Sequence, residues 1–255
     1  MSAFASDLPS PEAGWFAAGE GIARKRLTRP TAGAGTYTVE SRRFVRRAVR
    51  HIARAGVRQF LVVGAGTVTS PATHLVAHQV DPGARVVYVD GNRLVLALAR
   101  TLNSGGIDGT VGYALADIRK PDELLATPQV QVLDFTDPVA LLLVGVLHHL
   151  TDEEEPYVRV ERLVRDLAPG SYLAISHLTH DGPARALDVA LRLYRRSGVP
   201  VQPRSRADVT RFFTGFDLVE PGIELVSRWR PWRDEGLELA GFAHVPCLGG
   251  LGRLP

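Results

Sequence analysis

Apolar residues along this chain follow two alternating periods. From Thr38 to Ala55, Phe44, Val45, Ala48, Val49 and Ile52 recur at three and four residues, which predicts an amphipathic helix. Arg42, Arg43, Arg46, Arg47, Arg50 and Arg54 take its other positions and read as a solvated basic face. Short apolar runs then predict strands at 58–63, 85–89, 110–115, 139–144 and 171–176, with helices at 70–80, 92–103 and 152–167 between them. Helix starts are punctuated: Ser70-Pro71 supplies a cap and a first-turn proline, and Thr151 with Glu154 and Ser205 with Asp208 have capping-box spacing. Beyond a helix at about 183–197 and a short one ending near Gly215, the segments FDLVEP, IELVSRW and LAGFAHV read as strands separated by turns.

Strands alternating with helices, the strands being apolar throughout, predict an α/β fold whose parallel sheet is covered on both faces. Residues 1–38 mix prolines and glycines without a sustained period and read as an irregular extension or lid. Residues 39–255 then form one domain.

Composition narrows the class. With 45% apolar residues, 255 residues can bury a sizeable core. The longest apolar run, Val139 to Leu147, is about half of a bilayer span, and the N-terminus lacks the basic-then-apolar order of a secretory signal, so a cytoplasmic protein without membrane contact is expected. The single cysteine, Cys247, excludes an internal disulfide, and no Cys/His cluster suggests a metal. A net charge of +3 is small for a nucleic-acid binder, and no aromatic platform accompanies the arginines, so no nucleic-acid partner is expected.

Candidate chemistry gathers where predicted strands end, because ligands of an open parallel sheet bind beyond the carboxyl ends of its strands. FLVVGAG puts Gly64 and Gly66 after the first strand, where the absence of a Cβ lets the main chain approach a ligand. RVVYVDGN puts Asp90 after the second strand, where an acid accepts from ribose hydroxyls. ALADI puts Asp117 after the third strand, placed to accept from an adenine amino group. With Ala65, Gly91, Asn92 and Ile118 beside them, and Val144 ending the fourth strand, these residues form a candidate site for an adenosine-containing cofactor. A dinucleotide fold usually needs a third glycine beneath its pyrophosphate, and Thr69 stands there instead. S-adenosylmethionine carries no phosphate, so the missing glycine favours it.

FVRRAVRHIARAGVRQFLVVGAG, VVYVDGN, VALLLVGVLHHLTDEE, LAPGSYLAISHLT, PRSRADVTRFFTGFDLVEPGIELVSRWRP and the terminal GGLGR resemble a bacterial family of S-adenosylmethionine-dependent methyltransferases over about residues 39 to 255. The resemblance implies a Rossmann-like three-layer sandwich: a mostly parallel seven-stranded sheet with an antiparallel final strand. It carries no substrate class with it. Two positions depart from the family pattern. Val62 stands where an aspartate usually organises the amine end of the cofactor, and residues 1–38 show nothing like the family's tyrosine- and glycine-rich opening.

Methyl transfer is an in-line displacement that needs alignment more than a catalytic triad. His148 and His149 close the fourth strand and His177 follows the fifth, which makes them candidate bases; packing or helix capping explains them equally. His74 and His78, one turn apart, read as an ordinary helix surface, and Asp134 and Asp137 as turn residues. The expected function is methylation of a small molecule, in keeping with specialised metabolism. An alternative is a cofactor-binding protein of the same fold that has lost methyl transfer, serving as a ligand-binding or regulatory protein or catalysing a non-methylating step such as cyclisation. A nicotinamide-dependent oxidoreductase is weakened by the absent third glycine.

Overall fold

The computed structural model describes residues 32–64, 72–102, 109–182, 184–196, 198, 200–231 and 245–255. Helix α1 (Ala32–Arg54) precedes strand β1 (Gln59–Val63), and β1 is followed by α2 (Thr73–His78), β2 (Arg85–Asp90), α3 (Arg93–Leu102) and β3 (Val111–Leu115). Next come α4 (Pro121–Leu125), β4 (Val139–Val144), α5 (Pro156–Val164), β5 (Tyr172–Leu178), α6 (Ala184–Arg196) and α7 (Arg206–Arg211). Among the described residues β6 (Asp217–Leu218), β7 (Glu224–Leu225) and β8 (Cys247–Arg253) follow.

The sheet order is β3-β2-β1-β4-β5-β8-β6, with β7 also paired to β8. The first five strands are mutually parallel, and β8 runs antiparallel to β5. The mostly parallel sheet with an antiparallel final strand is as expected, and among the described residues it has eight strands, one of them an added short edge strand. The reason is local: β6 pairs with β8 at Leu218 and Gly252, β7 pairs with it at Leu225 and Leu248, and Pro221, which has no N–H to give, interrupts the edge between them.

The period of two divides the core between two layers. Leu61, Val63, Val87, Val89, Leu141, Leu143, Leu173 and Ile175 face the layer that includes Val160 and Leu163 of α5. Phe60, Val62, Val86, Tyr88, Ala140, Leu142, Tyr172 and Ala174 face α1 and α2. This is how a strand buried on both sides reads as an unbroken apolar run.

Several expectations are corrected. The first helix begins at Ala32, so residues 32–38 are helical and not part of an irregular extension. Its arginine face is not uniformly solvated: Arg54 is exposed and Arg42, Arg43, Arg46 and Arg50 are half-buried, while Arg47 is 3% exposed and donates from Nη2 to the Val226 carbonyl at 2.5 Å, beside the edge-on pair Phe44–Trp229 at 5.2 Å. The expected helix 152–167 is broken at Glu155, which adopts φ 50 ahead of Pro156, because proline disfavours the α conformation in the residue before it. The capping pairs at 151/154 and 205/208 do form: Glu154 accepts from the Thr151 N–H at 2.8 Å, and Ser205 Oγ from the Asp208 N–H at 3.1 Å. Ser70-Pro71, and LAGFAHV up to His244, lie outside the described residues.

Strand β8, CLGGLGR, was not predicted, because glycine weakens strand propensity. Its glycines make room instead. A Cβ on Gly249 would stand 2.8 Å from the Phe44 ring, and one on Gly252 would stand 2.8 Å from Phe216 Cβ.

Candidate functional site

The carboxyl ends of β3, β2, β1 and β4 lie side by side at one edge of the sheet. Gly64 follows β1 with φ 84 and donates its N–H to the Val89 carbonyl at 2.8 Å. A Cβ there would meet Val146 Cβ at 3.2 Å, so glycine serves both the positive φ and the close passage of the chain beside the end of β4. Ala65 and Gly66 lie outside the described residues.

Asp90 ends β2, and its Oδ1 accepts from the Asn92 N–H at 2.9 Å across Gly91. Asn92 is buried and caps α3, its Oδ1 accepting from Leu94 at 2.8 Å and Val95 at 3.3 Å. Asp117 lies two residues past β3, with its Oδ1 held by the Arg119 N–H at 2.9 Å and by Arg119 Nη1 at 3.4 Å. Ile118 is buried beside it. Both acids are half-buried at the edge and also stabilise their own turns. With strands about 4.8 Å apart, β1 to β3 spans about 10 Å, the reach of a nucleoside laid across the strand ends.

Long-range pairs that no local pattern announces stiffen this edge. Arg119 Nε donates to Glu154 Oε1 at 2.5 Å, while Arg159 Nε donates to the Glu154 carbonyl at 2.6 Å and its Nη1 to the Arg119 carbonyl. The turn carrying Asp117 is thereby tied to the segment after β4.

Val62, 7% exposed, packs on the face of the sheet that α1 and α2 cover, and half-buried Val144 joins the same face at the end of β4. Neither brings a polar group. On that face, Glu40 of α1 and Ser176 of β5 are fully buried.

His148 and His149 sit on a 3-10 turn, Leu147–His149, just past β4. His148, fully buried, packs against His149 at 4.4 Å, His177 at 5.7 Å and Tyr194 of α6 at 5.8 Å between ring centroids. Its pKa is held well below the usual histidine range by burial, aided by His149, His177 and Arg204. His149 Nδ1 lies 3.1 Å from the Pro200 carbonyl, and burial brings its pKa down to about 4. His177 Nδ1 meets the Leu178 carbonyl at 2.6 Å and its Nε2 meets Arg204 Nη1 at 3.0 Å; burial, followed by the Arg204 charge, brings its pKa to about 4. With both ring nitrogens engaged, His177 has none left for a substrate proton.

Arg204, which sequence reasoning passed over, organises this cluster. It is 2% exposed and donates to the carbonyls of Leu147 at 3.2 Å and Leu150 at 2.9 Å and to Asp152 Oδ1 at 2.7 Å. The Gln202 N–H donates to the His148 carbonyl at 2.8 Å, and the Arg204 N–H to the Leu178 carbonyl at 3.1 Å. Residues 200–204 therefore strap the histidine turn to the end of β5. The only sequence signal was an arginine beside a helix cap, in a chain where all but two of the 30 basic residues are arginine.

His74 is fully buried rather than on a helix surface. Its Nδ1 and N–H both meet Tyr88 Oη at 3.1 Å, and burial lowers its pKa to about 4. Among the described residues no group of three His, Cys, Asp or Glu side chains is placed to hold a metal, and no helix is long and apolar enough to cross a membrane.

A parallel core with one antiparallel strand between β5 and the edge, and glycine and acids at adjacent strand ends, is the Rossmann-like architecture of methyltransferases. Residues 15–255 match the profile of the S-adenosyl methyltransferase family, and the chain belongs to that family, whose cofactor is S-adenosylmethionine. The match begins at residue 15, inside the segment that sequence reading left without a counterpart. A DUF574 family protein from Streptomyces avermitilis is 34% identical, over 93% of this chain and 89% of its own, with a TM-score of 0.81. A candidate methyltransferase from Thermobifida fusca is 31% identical, over 98% and 99% of the two chains, with a TM-score of 0.78. A SAM-dependent methyltransferase from Anabaena variabilis, 15% identical over 100% and 99%, shares the fold with a TM-score of 0.61. No curated protein matches the sequence.

Proposed function

We propose that this protein transfers a methyl group from S-adenosylmethionine to a small-molecule acceptor, a reaction in keeping with specialised metabolism. The observation that carries the reading is the single sheet edge on which Gly64, Asp90 and Asp117 stand at the ends of adjacent strands, with the histidine turn after the next strand, β4. The residues present fit the cofactor: Gly64 and, in this reading, Ala65 and Gly66 admit its amino-acid end, Asp90 with Gly91 and Asn92 takes the ribose hydroxyls, and Asp117 with Ile118 takes the adenine. Val144, which ends β4 beside β1, offers an apolar contact to the cofactor in this reading.

When bound, the cofactor supplies an electrophilic methyl group on a sulfonium. The chain's part is alignment and exclusion of water, which can lower a barrier by about 7–11 kcal/mol when the reacting atoms are well placed. His148 and His149 stay neutral at physiological pH; the half-buried His149 can take a proton from an acceptor hydroxyl or amine, and the fully buried His148 supports it through their ring contact at 4.4 Å. Their depressed basicity makes them weak bases, so orientation dominates. His177 acts as a positioning residue through Arg204.

Incubation with methyl-labelled cofactor and a library of hydroxyl and amine acceptors, read by mass spectrometry, tests the reading. A product heavier by one methyl group, formed together with S-adenosylhomocysteine, is expected. Cofactor binding with no transfer to any acceptor would instead favour a fold kept for binding.

A further inference from the structure

On the α1 side of the sheet, Glu40 Oε2 and Ser176 Oγ are sealed from solvent without a hydrogen-bond partner among the described residues. The other oxygen of Glu40 accepts from Arg43 Nη1 at 2.8 Å, so the carboxylate is held in place by one oxygen while the second meets no donor. A buried carboxylate oxygen left without a donor is costly, and so is a buried hydroxyl.

Neighbouring contacts place both groups at the cofactor edge. Ser41 Oγ lies 3.9 Å from Cys247 Sγ, and Cys247 pairs with Leu178, the last residue of β5. One turn later, Phe44 rests against Gly249, which pairs with Ser176. Helix α1 therefore runs away from the carboxyl end of β5, and Glu40, one turn before Phe44, stands at that end. Ser176 is in phase with Tyr172 and Ala174, whose side chains face the layer of α1. Along the edge, Asp117, Asp90, Gly64, Val144 and Ser176 lie at or near the carboxyl ends of β3, β2, β1, β4 and β5 in spatial order, so the two orphaned atoms lie at the end opposite the two acids.

Two unused acceptors, one of them on a carboxylate, match a group that brings several N–H donors and a positive charge. An ammonium has three donors, whereas a hydroxyl has one. Val62, on the same face, offers no acid of its own.

We propose that Glu40 and Ser176 together receive an ammonium group of the bound molecule. The proposal rests on the functional reading above in taking this edge as the site. Two sources share the chemistry: the methionine ammonium of the cofactor and an amine on the acceptor.

Calorimetric titration of the full chain with S-adenosylhomocysteine, and with methylthioadenosine, which lacks the amino-acid end, separates them. If the cofactor is the source, Glu40→Gln weakens S-adenosylhomocysteine about 10- to 100-fold and leaves methylthioadenosine unchanged. If the acceptor is the source, both titrations are unchanged. In that case methylamine, phenethylamine or spermidine raises the Tm of the S-adenosylhomocysteine-saturated wild type but not that of Glu40→Gln. Ser176→Ala, which removes an atom without a partner and so keeps the fold, weakens the same ligand by a few-fold and carries the test if Glu40→Gln does not fold. If the wild type binds S-adenosylhomocysteine and neither substitution alters any ligand, the orphaned oxygens hold only water; the ammonium site then falls while the cofactor reading stands. If the wild type binds neither adenosine compound and no amine, both fall.

Discussion

Arg204 Nη1 lies 3.0 Å from His177 Nε2, and His177 Nδ1 lies 2.6 Å from the Leu178 carbonyl. A guanidinium can only donate and a carbonyl can only accept, so the ring carries its proton on Nδ1 and accepts at Nε2. The tautomer is fixed by its two neighbours, and the same arginine holds the carbonyls on either side of the His148–His149 pair.

Removing that guanidinium should strand two buried carbonyls and the ring nitrogen together. Arg204→Ala is expected to lower stability by about 3 kcal/mol, whereas Asp152→Asn, whose carboxylate is 63% exposed, should cost less than about 1 kcal/mol. Urea denaturation of the two variants checks this. Equal losses would mean that the ion pair, and not the carbonyl contacts, is what matters.

Stability should fall on mild acidification. His74, His149 and His177 have folded pKa values of about 4, and His148 is shifted the same way. In the unfolded chain they titrate near 6.5, so between about 4 and 6.5 the unfolded state binds more protons. Their contribution is complete above the unfolded value and drains away as pH falls toward the folded one. Asp152, Glu154 and Asp208 are also shifted downward, but they titrate below most of that window. The urea midpoint is therefore expected to be lower at about pH 5 than at about pH 7.5, and a flat profile would contradict the burial of these rings as neutral species.

Gly249 tests the packing of the antiparallel strand. A glycine-to-alanine change in a compatible backbone gains about 0.4–1 kcal/mol through the unfolded state, but a methyl group here must displace the buried Phe44 ring and Val226, and overpacking costs about 1–3 kcal/mol. Gly249→Ala should therefore be less stable than the wild type in chemical denaturation. An unchanged or raised midpoint would show that α1 yields easily.

Much of the α/β order was legible because each buried strand is a short apolar run and each helix a longer periodic one. Gly64, Asp90 and Asp117 were legible for a related reason: strand ends can be counted from the same runs. Strand β8 was not, because its glycines answer to Phe44, Phe213 and Phe216, which lie far from it in sequence. Arg204 and the Arg119–Glu154 pair were hidden likewise, since a buried arginine and a solvated one look alike until the chain folds. The histidine pair was visible as a pair, but His177 as a positioning group became apparent only when its two partners were in place.

The central claim is that one adenosyl group lies across the ends of β1, β2 and β3. Its most direct test is calorimetric titration of S-adenosylhomocysteine into the wild type, Asp90→Ala and Asp117→Ala. Saturable binding by the wild type is predicted, weakened about 10- to 100-fold by Asp90→Ala and about tenfold by Asp117→Ala, with each variant still folded and less stable by about 1 kcal/mol through the turn contact it loses. No heat from the wild type at concentrations up to about 1 mM, or equal affinity in all three proteins, would contradict the account.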